Sequence, residues 1–437
     1  MLHRRSNYPR VPRFAAVLAS FAAAVGPGTL SPAGDTSTEP PPSAPQADAP
    51  EASRQAGPST ISVGIDVWRQ RGFAPLAGKR IGLISNLTGR DRNGILTVEV
   101  LRREPTLTLA ALFSPEHGFL GVEEGSVEST DDEASGLIIY SLYGETRRPT
   151  PEMLAGLEGL VFDIQDIGTR FYTYATTMAY AMEEAAAHGL PIVVLDRPNP
   201  IDGTHVQGPL LDPGELSFVG YAPIPLRHGM TMGELARYFN EELDIGADLT
   251  VIEVDGWHRG DWYDATGLAW VNPSPNMRNL VQATLYPAVG PLETTNLSVG
   301  RGTDEPFEWF GAPWIDARRL AAHLNDAGLP GIRFVPRSRT PDASVYAHEL
   351  CHGVDLILTD RNSFAAGRTA ITLAHTLHAL YPDDWEMERF PRLWGRPEVV
   401  AQLRSGLSPD QIAATWKDQL QAFLEVRRRY LLYDLER

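Results

Sequence analysis

The chain contains few of the residues on which several kinds of site depend. It has a single cysteine, Cys351, which excludes an intrachain disulfide framework and any metal site built from several cysteines. Lysine occurs only at Lys79 and Lys417, so Schiff-base chemistry or a phosphate-binding lysine has almost no candidate. No apolar run reaches the ~18 residues that a membrane-spanning helix needs.

Basic residues are also in deficit, because the formal net charge is −17 at pH 7. This balance argues against sequence-independent nucleic-acid binding, whose affinity comes from Lys and Arg side chains that neutralise phosphates. The 437 residues exceed what one hydrophobic core usually serves. We therefore expect two domains of ~100–200 residues each.

The first residues are typical of an export signal. Four arginines precede an apolar stretch over residues 14–25, which has the length of a signal-peptide core and is too short to span a bilayer. We predict a signal peptide over residues 1–26, an exported protein in the periplasm or outside the cell, and no stable membrane insertion once the signal is removed. Residues 27–59 are rich in Pro, Ala, Ser and acidic residues, so we predict a disordered linker there.

Strand-like and helix-like segments alternate beyond the linker. Short apolar runs predict strands over residues 80–85, 107–113, 160–164 and 191–195. Near-continuous apolar strands separated by helices predict a parallel sheet covered on both faces, and hence a Rossmann-like α/β domain over residues 60–290. The pattern changes after this point and predicts a smaller α/β domain over residues 291–437. Its last helix should begin at Ser408, which with Gln411 forms a capping box.

Common nucleotide and serine-hydrolase motifs are absent. The first strand-to-helix turn lacks the G-x-G-x-x-G of dinucleotide sites. Gly78 and Lys79 lead into a strand, so they do not form a Walker-type phosphate loop. The nearest approach to a G-x-S-x-G nucleophile elbow, around Ser298, has Asn296 at the first glycine position.

One metal motif matches in full at residues 348–352, which read H-E-x-x-H. On a helix this spacing would place His348 and His352 on one face to bind Zn²⁺, with Glu349 as the base of a zinc peptidase. Gly353 follows at once and begins a strand, however, so the helix would end at its second ligand. We interpret the motif as a chance match at a helix end and predict no metal.

Polar side chains gather where the predicted strands end. They occupy residues 114–118, 163–166 and 196–200, and the carboxyl ends of parallel strands form the ligand-binding edge of such a sheet. Asp, Asn and Ser at these positions often serve only as helix caps and turn formers. Glu, His, Gln and Arg are poor caps, so their presence at the same edge favours a polar pocket.

Carboxylates in such a pocket are the equipment of a glycoside hydrolase. One carboxyl group delivers a proton to the leaving oxygen, and another group stabilises or attacks the anomeric carbon. Glu116 follows a strand end in the densest polar cluster, which makes it the favoured general acid.

Seven ordered segments together resemble the NamZ-type exo-β-N-acetylmuramidases, a family formerly known as a domain of unknown function. They read SPEHG (114–118), SLYG (141–144), DIQDIGTRFYTY (163–174), LDRPNP (195–200), RHGMT (227–231), PSPNM (273–277) and TNLSVGRGT (295–303). The resemblance implies a Rossmann-like domain with a smaller α/β domain and an active site in the cleft between them. It also implies release of N-acetylmuramic acid from the non-reducing ends of peptidoglycan fragments.

The resemblance matches Glu116 to the favoured catalytic glutamate of the family. Asp163, Asp166 and Glu293 are then candidates for the second carboxylate or for positioning. The remaining candidates bind substrate. Arg170, Arg197 and Arg301 are expected at the lactyl carboxylate, Tyr172 at a sugar face, and His117, Asn199, His228, Asn276 and Asn296 at hydroxyls and the acetamido group. Gln165 is a further candidate for substrate binding.

We expect a glycan derived from peptidoglycan as the substrate, no nucleic-acid partner and no cofactor. A periplasmic protein that binds muropeptides without cleaving them is the alternative, because it would share the export signal and an arginine-lined cleft. The acetamido group of the substrate could also replace an enzymic nucleophile.

Overall fold

The computed structural model describes residues 61–120, 130–132 and 137–435. The predicted signal peptide and linker, at residues 1–26 and 27–59, lie outside the described residues and stay predictions. No helix in the described part of the chain combines the length and the apolar character that crossing a membrane requires.

Twelve strands are present among the described residues, and seven of them form the main sheet. The strands are β1 (Arg80–Ser85), β2 (Thr108–Ser114), β3 (Thr130–Asp132), β4 (Leu137–Ser141), β5 (Gly159–Asp163), β6 (Ile192–Leu195), β7 (Gln207–Leu210), β8 (Pro225–Arg227), β9 (Leu249–Ile252), β10 (Trp309–Ala312), β11 (Ile332–Arg339) and β12 (Cys351–Leu358). The main sheet has the order β3-β4-β2-β1-β5-β6-β9. Its last six strands are parallel, and β3 runs antiparallel at the edge.

Helices connect and cover these strands. They are α1 (Gly64–Gln70), α2 (Thr97–Arg102), α3 (Pro151–Leu154), α4 (Tyr174–Ala187), α5 (Met232–Glu242), α6 (Leu280–Val289), α7 (Ala317–Asp326), α8 (Ala366–Leu380), α9 (Pro391–Trp394), α10 (Val399–Arg404), α11 (Pro409–Ala414) and α12 (Lys417–Arg427). Short 3-10 turns include Pro213–Glu215 and Gly290–Thr294.

The apolar sequence of the central strands explains why both faces of the main sheet are covered. Every residue of β5 and β6 is buried. Because successive side chains of a strand point to opposite faces, neighbouring residues of β5 enter different cores. Val161 packs in one core with Trp68 of α1, and Phe162 packs in the other with Met178 of α4. This confirms the Rossmann-like parallel-sheet domain.

The second domain is built on a small antiparallel sheet of order β10-β12-β11, which confirms a smaller α/β domain. The two domains together form one compact unit. The predicted last helix is interrupted. The capping box of Ser408 and Gln411 is present at the start of α11, but the helix ends at Ala414 and α12 begins at Lys417. Trp416, between them, is buried, so the apolar pattern continues across the break.

The order of strands defines two halves of the ligand-facing edge. The chain winds from β1 outward through β2 to β4, then returns to the other side of β1 and continues through β5, β6 and β9. The carboxyl ends of β2 and β4 therefore form one half of the edge, and those of β5 and β6 form the other. The direction reverses between β1 and β5, where open α/β sheets often bind ligands.

Candidate active site

Glu116 lies directly beyond the carboxyl end of β2, in a tight turn. The amide of Gly118 donates a hydrogen bond to the carbonyl of Pro115 at 3.1 Å. His117 and Gly118 both adopt positive φ, at 72° and 74°, a conformation that is uncommon for a non-glycine residue such as His117. The turn carries Glu116 and His117 to the wall of a pocket with a volume of about 560 Å³.

Two hydroxyl groups orient the carboxyl group of Glu116. The Thr173 hydroxyl donates to its Oε2 at 2.5 Å. The Tyr143 hydroxyl also faces Glu116. Its pKa is raised to about 12, first by burial and then by the charge of Glu116 and the hydrogen bond to it. Because Tyr143 and Thr173 remain protonated donors, they hold Glu116 in one direction without competing for its proton.

Buried tyrosines surround the same group. Burial raises the pKa of Tyr172, Tyr174 and Tyr286 above the ordinary value, and the negative charge of Glu116 contributes to each increase. All three line the pocket. Aromatic faces of this kind pack against the apolar faces of sugar rings, so the pocket places a carboxyl group beside stacking surfaces.

A second carboxylate of the pocket comes from the other domain. Glu293, in the 3-10 turn Gly290–Thr294, pairs with Arg301 through several contacts, the shortest at 3.1 Å. Their side chains are 26% and 28% exposed, so solvent reaches the pair. Both residues line the pocket. The charges of Glu293 and Glu116 both raise the pKa of Tyr286, after the larger effect of burial, so this tyrosine experiences both acids.

Arginines and aromatic rings form the rim of the pocket. The guanidinium carbon of Arg147 lies 4.3 Å from the centre of the Phe218 ring and 5.4 Å from that of Tyr143. Arg392, at the start of α9, also lines the pocket, and its charge lowers the pKa of Tyr143 against the stronger effect of burial.

Asp163, the last residue of β5, and Arg197, which follows β6, are located elsewhere. Arg197 Nε donates to Asp163 Oδ1 at 2.6 Å and Nη2 donates to Oδ2 at 3.0 Å. The Thr97 hydroxyl adds a hydrogen bond to Asp163 Oδ2 at 2.5 Å. The two charged side chains are 1% and 4% exposed. The structure therefore revises both predictions, because this acid and this arginine neutralise each other inside the protein and do not line the pocket of Glu116.

Asp166 and His228 form a buried pair that does not line the pocket. His228 Nε2 lies 3.9 Å from Asp166 Oδ2. Burial raises the pKa of Asp166 to about 7 and lowers that of His228 to about 3. Since burial disfavours the charge on each group, the contact is not an ion pair of two charged side chains. Asp166 Oδ2 also accepts a hydrogen bond from the Gly168 amide at 2.7 Å, which fits a structural role.

Arg170 was predicted at the lactyl carboxylate, but the structure assigns it to the interface between the two domains. It is 3% exposed. Nη1 donates to the carbonyls of Pro209 and Ile224, and Nη2 donates to those of Leu393 and Trp394. With its donors used in this way, Arg170 has no free face for a substrate carboxylate.

The other predicted binding residues are divided between the pocket and the interior. His117, Tyr172 and Arg301 line the pocket. The amide of Asn199 bonds to the backbone of Met230 and Ile201, and that of Asn296 bonds to the backbone at Asp384 and Glu386. Asn276 is buried and does not line the pocket, although Ser274 and Met277 beside it do. Gln165 lines a separate cavity of about 210 Å³ together with Arg197.

Several pocket residues were not among the sequence-based candidates. Tyr143, Arg147 and Thr173 lie near strand ends or inside the quoted motifs, so their chain positions offered a signal. Phe218 and Arg392 lie in segments with no such pattern. Phe218 reaches the pocket by packing against Tyr143 and Tyr180, and Arg392 reaches it from the second domain.

The H-E-x-x-H segment is not helical. His348 has a φ of 67° in a turn, and β12 begins at Cys351. His352 lies in that strand, and its Nδ1 bonds to the Ser338 hydroxyl at 2.8 Å. The expectation of a match at a helix end was wrong, since no helix is present at this position. Among the described residues, no group of three His, Cys, Asp or Glu side chains is arranged to hold a metal ion.

Comparison with known proteins identifies the family of this chain. Residues 81–281 match the sequence model of the N-terminal domain of exo-β-N-acetylmuramidase NamZ, and residues 284–433 match that of its C-terminal domain. The chain is 47% identical over 378 residues to the peptidoglycan β-N-acetylmuramidase NamZ of Bacillus subtilis, which covers 85% of this chain and 91% of that protein.

Two crystal structures of DUF1343 family proteins from Bacteroides fragilis have the same fold. The first has a TM-score of 0.80 and 38% identity, and the match covers 86% of this chain and 99% of that one. The second has a TM-score of 0.71 and 32% identity, covering 86% and 100%. With both domain models matched in order and a close relative over most of its length, the chain belongs to the NamZ family of exo-β-N-acetylmuramidases, which are glycoside hydrolases.

Proposed function

We propose that this protein is an exo-acting glycoside hydrolase that releases N-acetylmuramic acid from the non-reducing ends of peptidoglycan fragments. Family membership supports the reaction class and the substrate. The observation that carries the proposal for this chain is the position of Glu116, whose carboxyl group is oriented by Thr173 and Tyr143 in the pocket between the domains.

Glu116 acts as the general acid in this proposal. It transfers its proton to the glycosidic oxygen while the bond from that oxygen to the anomeric carbon breaks and the bonding electrons leave with the oxygen. A water molecule supplies the new bond to the anomeric carbon, and its proton restores the acid. No cofactor takes part in these steps.

Glu293 is the acid that we propose for the second role, at the opposite side of the sugar. Of the three acids considered from the sequence, Glu293 lines the pocket, while Asp163 and Asp166 are buried outside it. Its pairing with Arg301 orients the carboxyl group that would stabilise positive charge on the sugar or orient water. Participation of the substrate acetamido group would be compatible with the same arrangement.

The proposal includes export of the protein, because peptidoglycan lies outside the cytoplasmic membrane. It rests on residues 1–26, whose arginine-rich start and apolar stretch have the pattern of a signal peptide. Detection of the protein in the periplasmic or culture fraction, with loss of that location when residues 1–26 are removed, would test it.

A chromogenic N-acetylmuramide tests the activity directly. We expect the wild-type protein to release the chromophore and N-acetylmuramic acid, and to do so equally with and without a metal chelator. A protein that only binds muropeptides would retain the sugar on calorimetry and release no chromophore, which would overturn the proposal. Loss of activity with chelator and its recovery with Zn²⁺ would instead favour metal-dependent chemistry.

A further inference from the structure

Two arginines on the pocket rim have no carboxylate partner among the described residues. The cationic side chains of the lining are Arg147, Arg301 and Arg392. Arg301 is paired with Glu293, whereas neither Arg147 nor Arg392 takes part in an ion pair within the described ranges. A substrate carboxylate bound at Arg301 would meet the like charge of Glu293, so the other two arginines are the available sites for an anion.

The local arrangement holds the guanidinium group of Arg147 in place. It lies over the face of Phe218 at 4.3 Å and near that of Tyr143 at 5.4 Å. A guanidinium group stacked in this way keeps its N–H edge available for a bidentate contact with a carboxylate. Since Tyr143 also faces Glu116, Arg147 is separated from the proposed proton donor by one tyrosine side chain.

Arg392 reaches the same region from the other domain, and buried contacts fix its backbone. Nη2 of Arg170 donates to the carbonyls of the next two residues, Leu393 and Trp394, at 2.9 and 2.7 Å. The carbonyl of Gly395 accepts from the Asp212 amide at 2.8 Å. Gly395 has a φ of 83°, and a Cβ there would lie 2.5 Å from Arg170 Nη2, so close packing at this point requires glycine.

An anionic substrate needs cationic side chains inside the pocket of this acidic protein. The whole chain carries a net charge of −17, and the pocket itself contains Glu116, Glu215 and Glu293. At physiological ionic strength charges beyond about 8 Å are largely screened, so the attraction must come from cations in the pocket itself. The muramyl sugar differs from N-acetylglucosamine only by the lactyl ether, whose carboxylate is the one group that an arginine can distinguish.

We infer that Arg147 and Arg392 together bind the lactyl carboxylate and make the pocket selective for N-acetylmuramyl over N-acetylglucosaminyl ends. This inference rests on the proposed function and names the residues that select its substrate. It assigns Arg170 as a positioning residue that acts through the backbone of Arg392. Because the two arginines come from different domains, the bound carboxylate joins both sides of the cleft.

The test of this inference measures kcat/KM on two chromogenic substrates, the N-acetylmuramide and the N-acetylglucosaminide. The variants are Arg147→Gln, Arg392→Gln and the double variant. Each single variant should lose about 10- to 100-fold in kcat/KM for the muramide, the range for a hydrogen bond to a charged group. Activity on the glucosaminide should stay at its wild-type level, so selectivity collapses. The methyl ester of the muramide should be a poor substrate for the wild type and no poorer for the double variant.

Arg148→Gln is the matched control. Arg148 neighbours Arg147 but pairs with Glu183 and stacks on Tyr180, outside the pocket. Selectivity should not change in this variant. The inference is overturned if Arg147→Gln and Arg392→Gln lose no more muramide activity than Arg148→Gln does while their unfolding midpoints match the wild type.

Calorimetry with N-acetylmuramic acid separates this inference from the proposed function. A wild-type protein that binds the sugar acid through Arg147 and Arg392 but releases no chromophore would support the carboxylate site and refute the hydrolase. A wild-type protein that cleaves the muramide while the double variant binds N-acetylmuramic acid equally well would leave the hydrolase standing and refute the site.

Discussion

The two halves of the carboxyl edge of the main sheet use the same residue types for different purposes. Beyond β2 and β4, Glu116 and Tyr143 line an open pocket with Arg147 on its rim. At the ends of β5 and β6, Asp163 and Arg197 are almost completely buried and neutralise each other. A charged residue at the end of a strand therefore lines a site when its neighbours leave open space beside it. It becomes part of the interior when an opposite charge and further hydrogen-bond donors surround it.

The buried half continues as a network that joins distant segments. Asp196 accepts hydrogen bonds from Thr231 and Tyr433, and Glu234 pairs with Arg259. Such groups are satisfied in place and cannot turn toward a ligand without leaving a buried charge alone. We interpret the buried region beyond β5 and β6 as a rigid support for the partly exposed pocket residues beyond β2 and β4.

The largest expected effect on stability lies in the buried half. Asp163→Asn leaves the guanidinium group of Arg197 buried without its counter-charge, and the loss of one partner from such a pair typically costs about 3–5 kcal/mol of unfolding free energy. Urea denaturation measures this change. Turnover per folded molecule should remain near the wild-type value, and a stable Asp163→Asn protein with strongly reduced turnover would contradict the division between the two halves.

Much of the scaffold could be predicted because local sequence determines it. The apolar run at residues 80–85 coincides with β1. The capping box predicted for Ser408 and Gln411 is present at the start of α11. Strand β10 was not predicted, since its four residues are too short for a periodic pattern.

The division of polar residues could not be predicted from the sequence in the same way. Arg170 looks like a carboxylate ligand within its motif, but its partners include carbonyls 223 and 224 residues further along the chain. Arg392 reaches the pocket through that same long-range packing. Which arginine is buried and which lines the pocket depends on contacts between domains, and no local pattern encodes them.

The pH dependence of the unfolding free energy should reveal the shifted pKa values of the buried Asp166 and His228. Burial raises the pKa of Asp166 from the ordinary 3.8 to about 7 in the folded protein. The resulting stability is fully present below the ordinary pKa and is lost as the pH rises through the folded-state pKa. Burial lowers the pKa of His228 from the ordinary 6.5 to about 3 in the folded protein. The resulting stability is fully present above the ordinary pKa and is lost as the pH falls through the folded-state pKa. In the wild type these opposite trends partly cancel.

Asp166→Asn should therefore become more stable with rising pH, relative to the wild type, across about pH 4 to pH 7, by at most about 1.4 kcal/mol per pH unit. His228→Gln should show the opposite slope. Urea midpoints across this range provide the measurement. Slopes parallel to the wild type in both variants would mean that the two groups titrate as they do in the unfolded chain.

The smallest expected effect on stability lies in the pocket. Glu293→Gln removes an ion pair whose side chains are 26% and 28% exposed, and solvent screening limits the cost to about 1 kcal/mol or less. Its turnover should nevertheless fall by about 100-fold if Glu293 supplies the second carboxylate. Unchanged turnover on the chromogenic muramide would assign the second role to the substrate acetamido group instead.

The most direct test of the central claim is the turnover of Glu116→Gln on the chromogenic N-acetylmuramide, measured together with its urea unfolding curve. Glutamine keeps the size of the side chain and removes the proton that the leaving oxygen requires. We predict a loss in kcat of about 100- to 10,000-fold with an unfolding midpoint like that of the wild type. A folded Glu116→Gln protein with near-wild-type turnover would contradict the account.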